Sequence, residues 1–269
     1  MKKVLTVAGS DSSGGAGIQA DLKTFAALGT YGMSCICALT AQNTKGVTLV
    51  ENASPSMVKA QLEAVYEDIY PDAVKTGMLS SPAIVETVAE FLKEHSRAPL
   101  VVDPVMVATS GDVLLEEGAI RIYKEKLIPL ATLITPNIPE AEVLSGMTIR
   151  TISDMEAAAK RLGDLGRGAV LVKGGHRVEE AHDVLWDGRE LHHYETEKIE
   201  SENTHGTGCT LSSALAAMLA KGYPLPAAVA MAKRYITGAI RGGKDQKIGH
   251  GHGPVDHFWL YGEGWGRME

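Results

Sequence analysis

Apolar residues in this chain alternate between short unbroken runs and stretches in which they recur every three or four positions. Short runs are the signature of buried strands, and the longer spacing that of helices with one buried face. Residues 4–8 form such a run and end in Gly9, which predicts a strand entering a loop. Ile18, Leu22, Phe25 and Ala26 then repeat at helical spacing, with Gly29 at the stop. A strand over 33–40 follows, then a helix marked by Val58, Leu62, Val65 and Ile69 behind Pro55. The alternation continues with strands over 73–78, 100–105, 132–137 and 169–175. Between them, helices are predicted behind Pro82, around 120–127, after Pro139, and through Met155, Ala159 and Leu162.

The rhythm changes at Asp187-Gly188, an Asp-Gly pair between the apolar runs 184–186 and 191–194. That pattern predicts a hairpin with a type I′ turn. Two helices, over 207–221 and 226–240, close the chain, with Gly222 between them as a C-terminal cap. Repeated strand–helix units predict an α/β fold, a mainly parallel sheet with helices on both faces. No internal repeat or linker interrupts it, so residues 1–269 read as a single domain.

With 45% hydrophobic residues in 269, the chain has enough apolar side chains for a sizeable core. A formal charge of −7 without clustered Lys or Arg argues against a nucleic-acid surface. No run approaches a membrane span or a signal peptide, and three cysteines imply no disulfide framework. A cytoplasmic protein is the expectation.

In open α/β sheets ligands bind beyond the carboxyl ends of the strands, so the loops there carry the chemistry. The first, residues 9–17, is glycine-rich, and Gly15, Gly17 and Ala20 match a dinucleotide fingerprint in form. The acid which that fingerprint needs after the second strand is missing, where Thr40-Ala41-Gln42-Asn43 stands instead. No Walker-type loop occurs either. A second glycine loop, Asn203-Thr204-His205-Gly206-Thr207-Gly208-Cys209-Thr210, opens an apolar helix. Backbone N–H groups at such a helix start make an anion hole, although the same residues also read as a simple cap with a buried Cys. Asp103 ends a very apolar strand, Asn137 ends another, and Glu140 follows in the first helical turn. These groups could share a hydrated Mg²⁺, while for Asn137 and Glu140 a helix cap is an equal alternative. Lys173 brings a cation to the same edge. Cys35 and Cys37, two apart in a strand, share a core face.

Seven segments together carry a family likeness: AGSDSSGGAGIQADLKTF (8–25), AQNTKGV (41–47), KTGML (75–79), TPNIPEA (135–141), KGGH (173–176), NTHGTGCTLSSA (203–214) and GHGPVDHF (251–258). By these the sequence resembles the hydroxymethylpyrimidine kinase/phosphomethylpyrimidine kinase family of thiamine biosynthesis. The resemblance implies a ribokinase-like three-layer sandwich, ATP and Mg²⁺ as cofactors, and a homodimer. It implies two successive phosphorylations, of the pyrimidine alcohol and then of its monophosphate. Carried over residue by residue, Gln42 would read the aminopyrimidine edge, with Asp21 and Met78 lining the pocket. Asn137, Glu140 and Lys173 would serve ATP and Mg²⁺. Gly206, Thr207 and Gly208 would hold the transferred phosphoryl group. Cys209 stands where sugar kinases of the superfamily place an Asp general base, and a helix N-terminus is expected to lower its pKa toward neutrality. Thr109 departs from relatives that carry Lys there. The nearest alternative is a pyridoxine/pyridoxal kinase; a more distant one is a thiol hydrolase using Cys209 with His205 as base.

Overall fold

The computed structural model describes residues 1–106, 118–166, 168–175 and 181–262. Strand β1 (Lys3–Gly9) shows how the layers arise, because its side chains alternate between two cores. Leu5 and Val7 enter one core, and Val4 enters the other on the opposite face. Next come α1 (Gly17–Ala27), β2 (Tyr31–Asn43), β3 (Gly46–Asn52), α2 (Pro55–Asp68), β4 (Ala73–Thr76), α3 (Pro82–His95) and β5 (Leu100–Val102). They are followed by α4 (Ala119–Ile122), β6 (Leu133–Ile134), α5 (Ile138–Ser145), α6 (Ile152–Gly163), β7 (Ala169–Lys173), β8 (Ala181–Trp186), β9 (Leu191–Thr196), α7 (Thr207–Ala220) and α8 (Leu225–Gly243).

Nine strands form one sheet in the order β3-β2-β1-β4-β5-β6-β7-β8-β9. The six from β2 to β7 are parallel, whereas β3, β8 and β9 run antiparallel to their neighbours. Helices α2, α3, α5 and α6 cover one face and α1, α7 and α8 the other, giving the predicted three-layer sandwich. Cys35 and Cys37 are fully buried on one face of β2, as their spacing required.

Three local expectations are corrected. Strand β3 is absent from the hydrophobic pattern because it is an edge strand that buries almost nothing; Leu49 is 64% exposed. The helix expected around 120–127 is instead one α-turn, a π-turn over Tyr123–Leu127 and a 3₁₀ turn over Ile128–Leu130. Pro129 explains the break, since it lacks an N–H and its ring clashes with the carbonyl four residues back. The Asp187-Gly188 hairpin is present but is not a type I′ turn, which needs positive φ at both central residues. Only Gly188 has it, at 93°. The loop runs through Glu190, and Asp187 Oδ1 accepts from the N–H groups of Arg189 and Glu190 at 2.8 Å each.

Candidate active site

Strands β1, β4, β5, β6 and β7 end at one edge of the sheet, and the chain runs from β1 out to β2 and β3 on one side before it returns to β4 on the other. Such a reversal of strand order opens a crevice at the carboxyl ends. Here it is a cleft of about 1570 Å³ that runs from Gln42 and Met78 past Cys209 to Ile236 and Ile240 of α8. Asp103, Asn137, Glu140, Lys173, Gly206, Thr207 and Gly208 all line it.

Gly206 is the N-cap of α7, with φ of 81° that only glycine adopts without strain. Its carbonyl accepts from Thr210 N at 2.8 Å, which starts the helix; Thr207 N donates to Thr204 O at 3.3 Å, and Gly208 and Cys209 of the first turn line the cleft. Gly208 lies against the cationic side: a Cβ there would stand 3.5 Å from Lys173 Nζ and 3.7 Å from Asp103 Oδ2. Cys209 is half-buried on the first turn of α7. The expected lowering of its pKa is reversed. Burial pushes the thiol up to about 11; Lys75 pulls it back, and Asp21 and Asp103 push it further. A desolvated thiolate beside two carboxylates is disfavoured.

Asp103 is 1% exposed and nearly surrounded. Its Oδ1 accepts from Lys173 Nζ at 3.0 Å and Thr135 Oγ1 at 3.2 Å, and its Oδ2 from Ser212 Oγ at 3.1 Å. Burial works against its ionisation, but Lys173 and Lys75 outweigh it and hold the carboxyl below its usual value. Asn137 and Glu140 form a reciprocal capping box at the start of α5, with bonds of 2.9 and 2.8 Å. The cap reading therefore holds for both, yet both also face the cleft. Burial, with Asp103 adding, raises Glu140 to about 7 against the pull of Lys173. Burial favours a neutral Lys173, and Asp103 and Glu140 overcome it to keep the ammonium charged. Asp103 bonds the Lys173 ammonium directly and Glu140 attracts it through space, and both carboxyl groups are oxygen donors of the kind a hard cation takes.

At the other end Gln42 lines the cleft; the register facing β1 skips Cys37 of β2 between Ile36 and Ala38, which switches the face that the following β2 side chains take. Thr40 Oγ1 donates to Gln42 Oε1 at 3.1 Å. Met78 is 8% exposed and lines the same end. Asp21 does not line the pocket, against expectation. It is fully buried in α1, where Lys75 Nζ donates to both of its oxygens at 2.9 Å. Thr6 and Ser213 hydroxyls donate to it at 2.6 Å. These partners are donors inside the fold, and Lys75, itself without exposed surface, stands behind the cleft wall.

A profile of the family described as phosphomethylpyrimidine kinase matches residues 11–256. The chain belongs to the phosphomethylpyrimidine kinase family. It is 54% identical over 256 residues to the thiamine biosynthesis bifunctional protein of Geobacter sulfurreducens, covering 95% of this chain and 52% of that protein. The chain therefore spans about half the length of that relative. It is 50% identical over 260 residues to the hydroxymethylpyrimidine/phosphomethylpyrimidine kinase of Streptomyces coelicolor, covering 97% and 96%. Among solved structures, the phosphomethylpyrimidine kinase of Clostridium difficile superposes with a TM-score of 0.81 at 52% identity, covering 89% of this chain and 100% of that one. The pyridoxal kinase of Staphylococcus aureus, in complex with AMP-PCP and pyridoxal, superposes with a TM-score of 0.87 at 36% identity, covering 100% and 96%.

In this kinase the structure adds residues that sequence reasoning left without a role. Lys75 was legible only as a lone charge in the apolar run 73–78. Asp11, 2% exposed, organises the first glycine loop by accepting from Ser13 N and Ala16 N at 2.8 Å each. Its Oδ2 meets His205 Nε2 at 2.8 Å, so that histidine is held by Asp11 rather than by Cys209. Thr109 and His176 lie outside the described residues. Among the described residues, no helix is long and apolar enough to cross a membrane.

Proposed function

We propose that this chain transfers the γ-phosphoryl group of ATP to 4-amino-5-hydroxymethyl-2-methylpyrimidine, and then a second phosphoryl group to the monophosphate. The observation that carries this reading is that one cleft holds both Gln42 and the helix-capped glycine cradle Gly206–Gly208. Gln42 can donate to and accept from an N/NH₂ ring edge, while the cradle faces the transferred group with backbone N–H donors. Membership of a kinase family, and a neighbour solved with AMP-PCP, support ATP as donor.

Phosphoryl transfer asks mainly for positioning and for stabilisation of charge on the moving group. Lys173 supplies one positive charge, and the N-terminus of α7 supplies aligned N–H groups. Asp103 and Glu140 are the residues that would hold Mg²⁺, which when bound neutralises phosphate charge. Asn137 orients Glu140 through the capping box. Cys209 is the side chain next to the reacting hydroxyl, and its thiolate is the proposed acceptor of the alcohol proton, which leaves late in a loose transition state. Met78 flanks the ring.

The unbroken sheet supports reading residues 1–269 as one kinase domain. A homodimer is proposed through the open edge strand β3 and the adjoining exposed Leu39 of β2. The cytoplasm is the proposed compartment, since all three cysteines are free thiols. The second reading, a pyridoxal kinase, draws on the Staphylococcus neighbour. The test offers each alcohol with ATP and weighs the products. Successive gains of one and two phosphoryl groups on the aminopyrimidine support the proposal, and efficient turnover of pyridoxal alone would replace it.

A further inference from the structure

The two glycine loops come from opposite ends of the chain, yet they touch without a gap. A side chain at Gly15 would strike the His205 ring, and one at Gly206 would strike the Gly15 carbonyl. Across this seam lies the contact between Asp11 Oδ2 and His205 Nε2 at 2.8 Å, with both residues buried. His205 N also donates to Gly253 O at 3.0 Å, which pins the second loop from its other side. On the ring side, Ser12 follows Asp11, and its Oγ accepts from Gln42 N and donates to Gln42 O, each at 2.8 Å. A continuous chain of bonded groups therefore runs from Gln42 through Ser12, Asp11 and His205 to Gly206.

We propose that the Asp11–His205 contact is a clasp which sets the phosphoryl cradle relative to the ring-reading amide and so couples occupancy of the two substrate sites. Asp11 and His205 are positioning residues; neither is assigned a contact with substrate. The proposal rests on the kinase reading above, because only a two-substrate cleft needs this register. A ring bound against Gln42 fixes residues 41–43, and Ser12 carries that order into the first loop. The buried clasp then carries it to the cradle, whose N–H groups must meet a phosphoryl group within a few tenths of an ångström. Coupling of this kind is reciprocal, so nucleotide must tighten the alcohol by the same factor as alcohol tightens nucleotide. Asp11 has no freedom to swing away, because its remaining bonds to Ser13, Gly15 and Ala16 fix both oxygens.

The experiment measures binding of hydroxymethylpyrimidine by calorimetry with and without AMP-PCP, and of AMP-PCP with and without the alcohol. Wild type should show mutual tightening of at least about fivefold. His205→Ala should bring that factor to near one and lower kcat by about 10–100-fold, as expected for lost register. Affinity for each ligand alone should change less than the coupling does. His205→Gln, whose amide can donate to Asp11, should recover much of the coupling. Should His205→Ala fail to fold, Asp11→Asn provides the second test and should lose coupling in the same way. A purely structural contact would lower Tm and leave the coupling factor intact, and that result overturns the clasp. So does a wild-type factor of one. The kinase reading fails separately, if wild type transfers no phosphoryl group to the alcohol.

Discussion

Lys75 Nζ donates to both carboxylate oxygens of Asp21 at 2.9 Å, and neither residue has any solvent-exposed surface. The carboxylate also receives the hydroxyl of Ser213, which follows Cys209 by one turn on the same face of α7. The pair therefore joins β4 to α1 and α7 directly beneath the first turn of the phosphoryl cradle.

Breaking this pair one side at a time leaves a buried charge without its partner. Lys75→Met should destabilise the fold by about 3–5 kcal/mol in denaturant titration. The double substitution Asp21→Asn with Lys75→Met removes both charges and should recover most of that stability. Recovery of stability without recovery of turnover is the expected result, because the pair underlies the first turn of α7 through Ser213. A double variant as unstable as the single one would remove the ion pair as the cause.

The Cys209 thiol is pushed up to about 11 by burial, so the unliganded protein holds it protonated at neutral pH. At pH 8 the thiolate fraction is then ~10⁻³ and grows tenfold with each pH unit. If the thiolate accepts the alcohol proton, kcat rises with pH between 7 and 9. Cys209→Asp is ionised throughout that range and should give a flat profile. The thiol also favours the fold only while it is protonated. That contribution is present below the ordinary cysteine value and is lost as pH rises toward 11. A flat wild-type profile would exclude the thiolate as base.

Gln42 lines the cleft, where the ring must be read by hydrogen bonds. Gln42→Met should cost about 1–3 kcal/mol in specificity for the aminopyrimidine, whose polar edge is left unpaired. Pyridoxine should lose much less. Parallel kcat/KM measurements on both alcohols decide this, and equal losses would count against the assignment.

Asp103 holds Lys173 at 3.0 Å and faces the cleft beside Glu140. Asp103→Asn should raise the Mg²⁺ concentration needed for half-maximal turnover and lower kcat, with alcohol binding in the absence of nucleotide nearly unchanged. Glu140→Gln should shift the Mg²⁺ titration in the same direction. An unaltered titration in both variants would take these carboxylates out of the metal site.

Much of this arrangement was legible in the chain. The runs that became β1, β4, β5 and β7 were visible because parallel strands covered on both faces are mostly apolar. Asp103 stood out as an acid at the end of such a run. Asp21 was assigned to the pocket wall from the family resemblance, and nothing in the spacing of α1 shows that Lys75 lies across from it. The Cys209 thiol was misjudged for a related reason. Its helix position was readable, whereas its desolvation and the carboxylates nearby come from other strands and helices.

The sequence by itself determined the order of most elements, though not edge strand β3, and with it the parallel core of the sheet, the glycine loops and the family. These depend on periodicity and on backbone chemistry that a few neighbouring residues fix. The tertiary structure alone decided which charges meet. Asp21 with Lys75, Asp11 with His205 and Asp103 with Lys173 are separated in the chain by 54, 194 and 70 residues. Electrostatic energy depends on distance through space and on burial, and neither is written in local spacing.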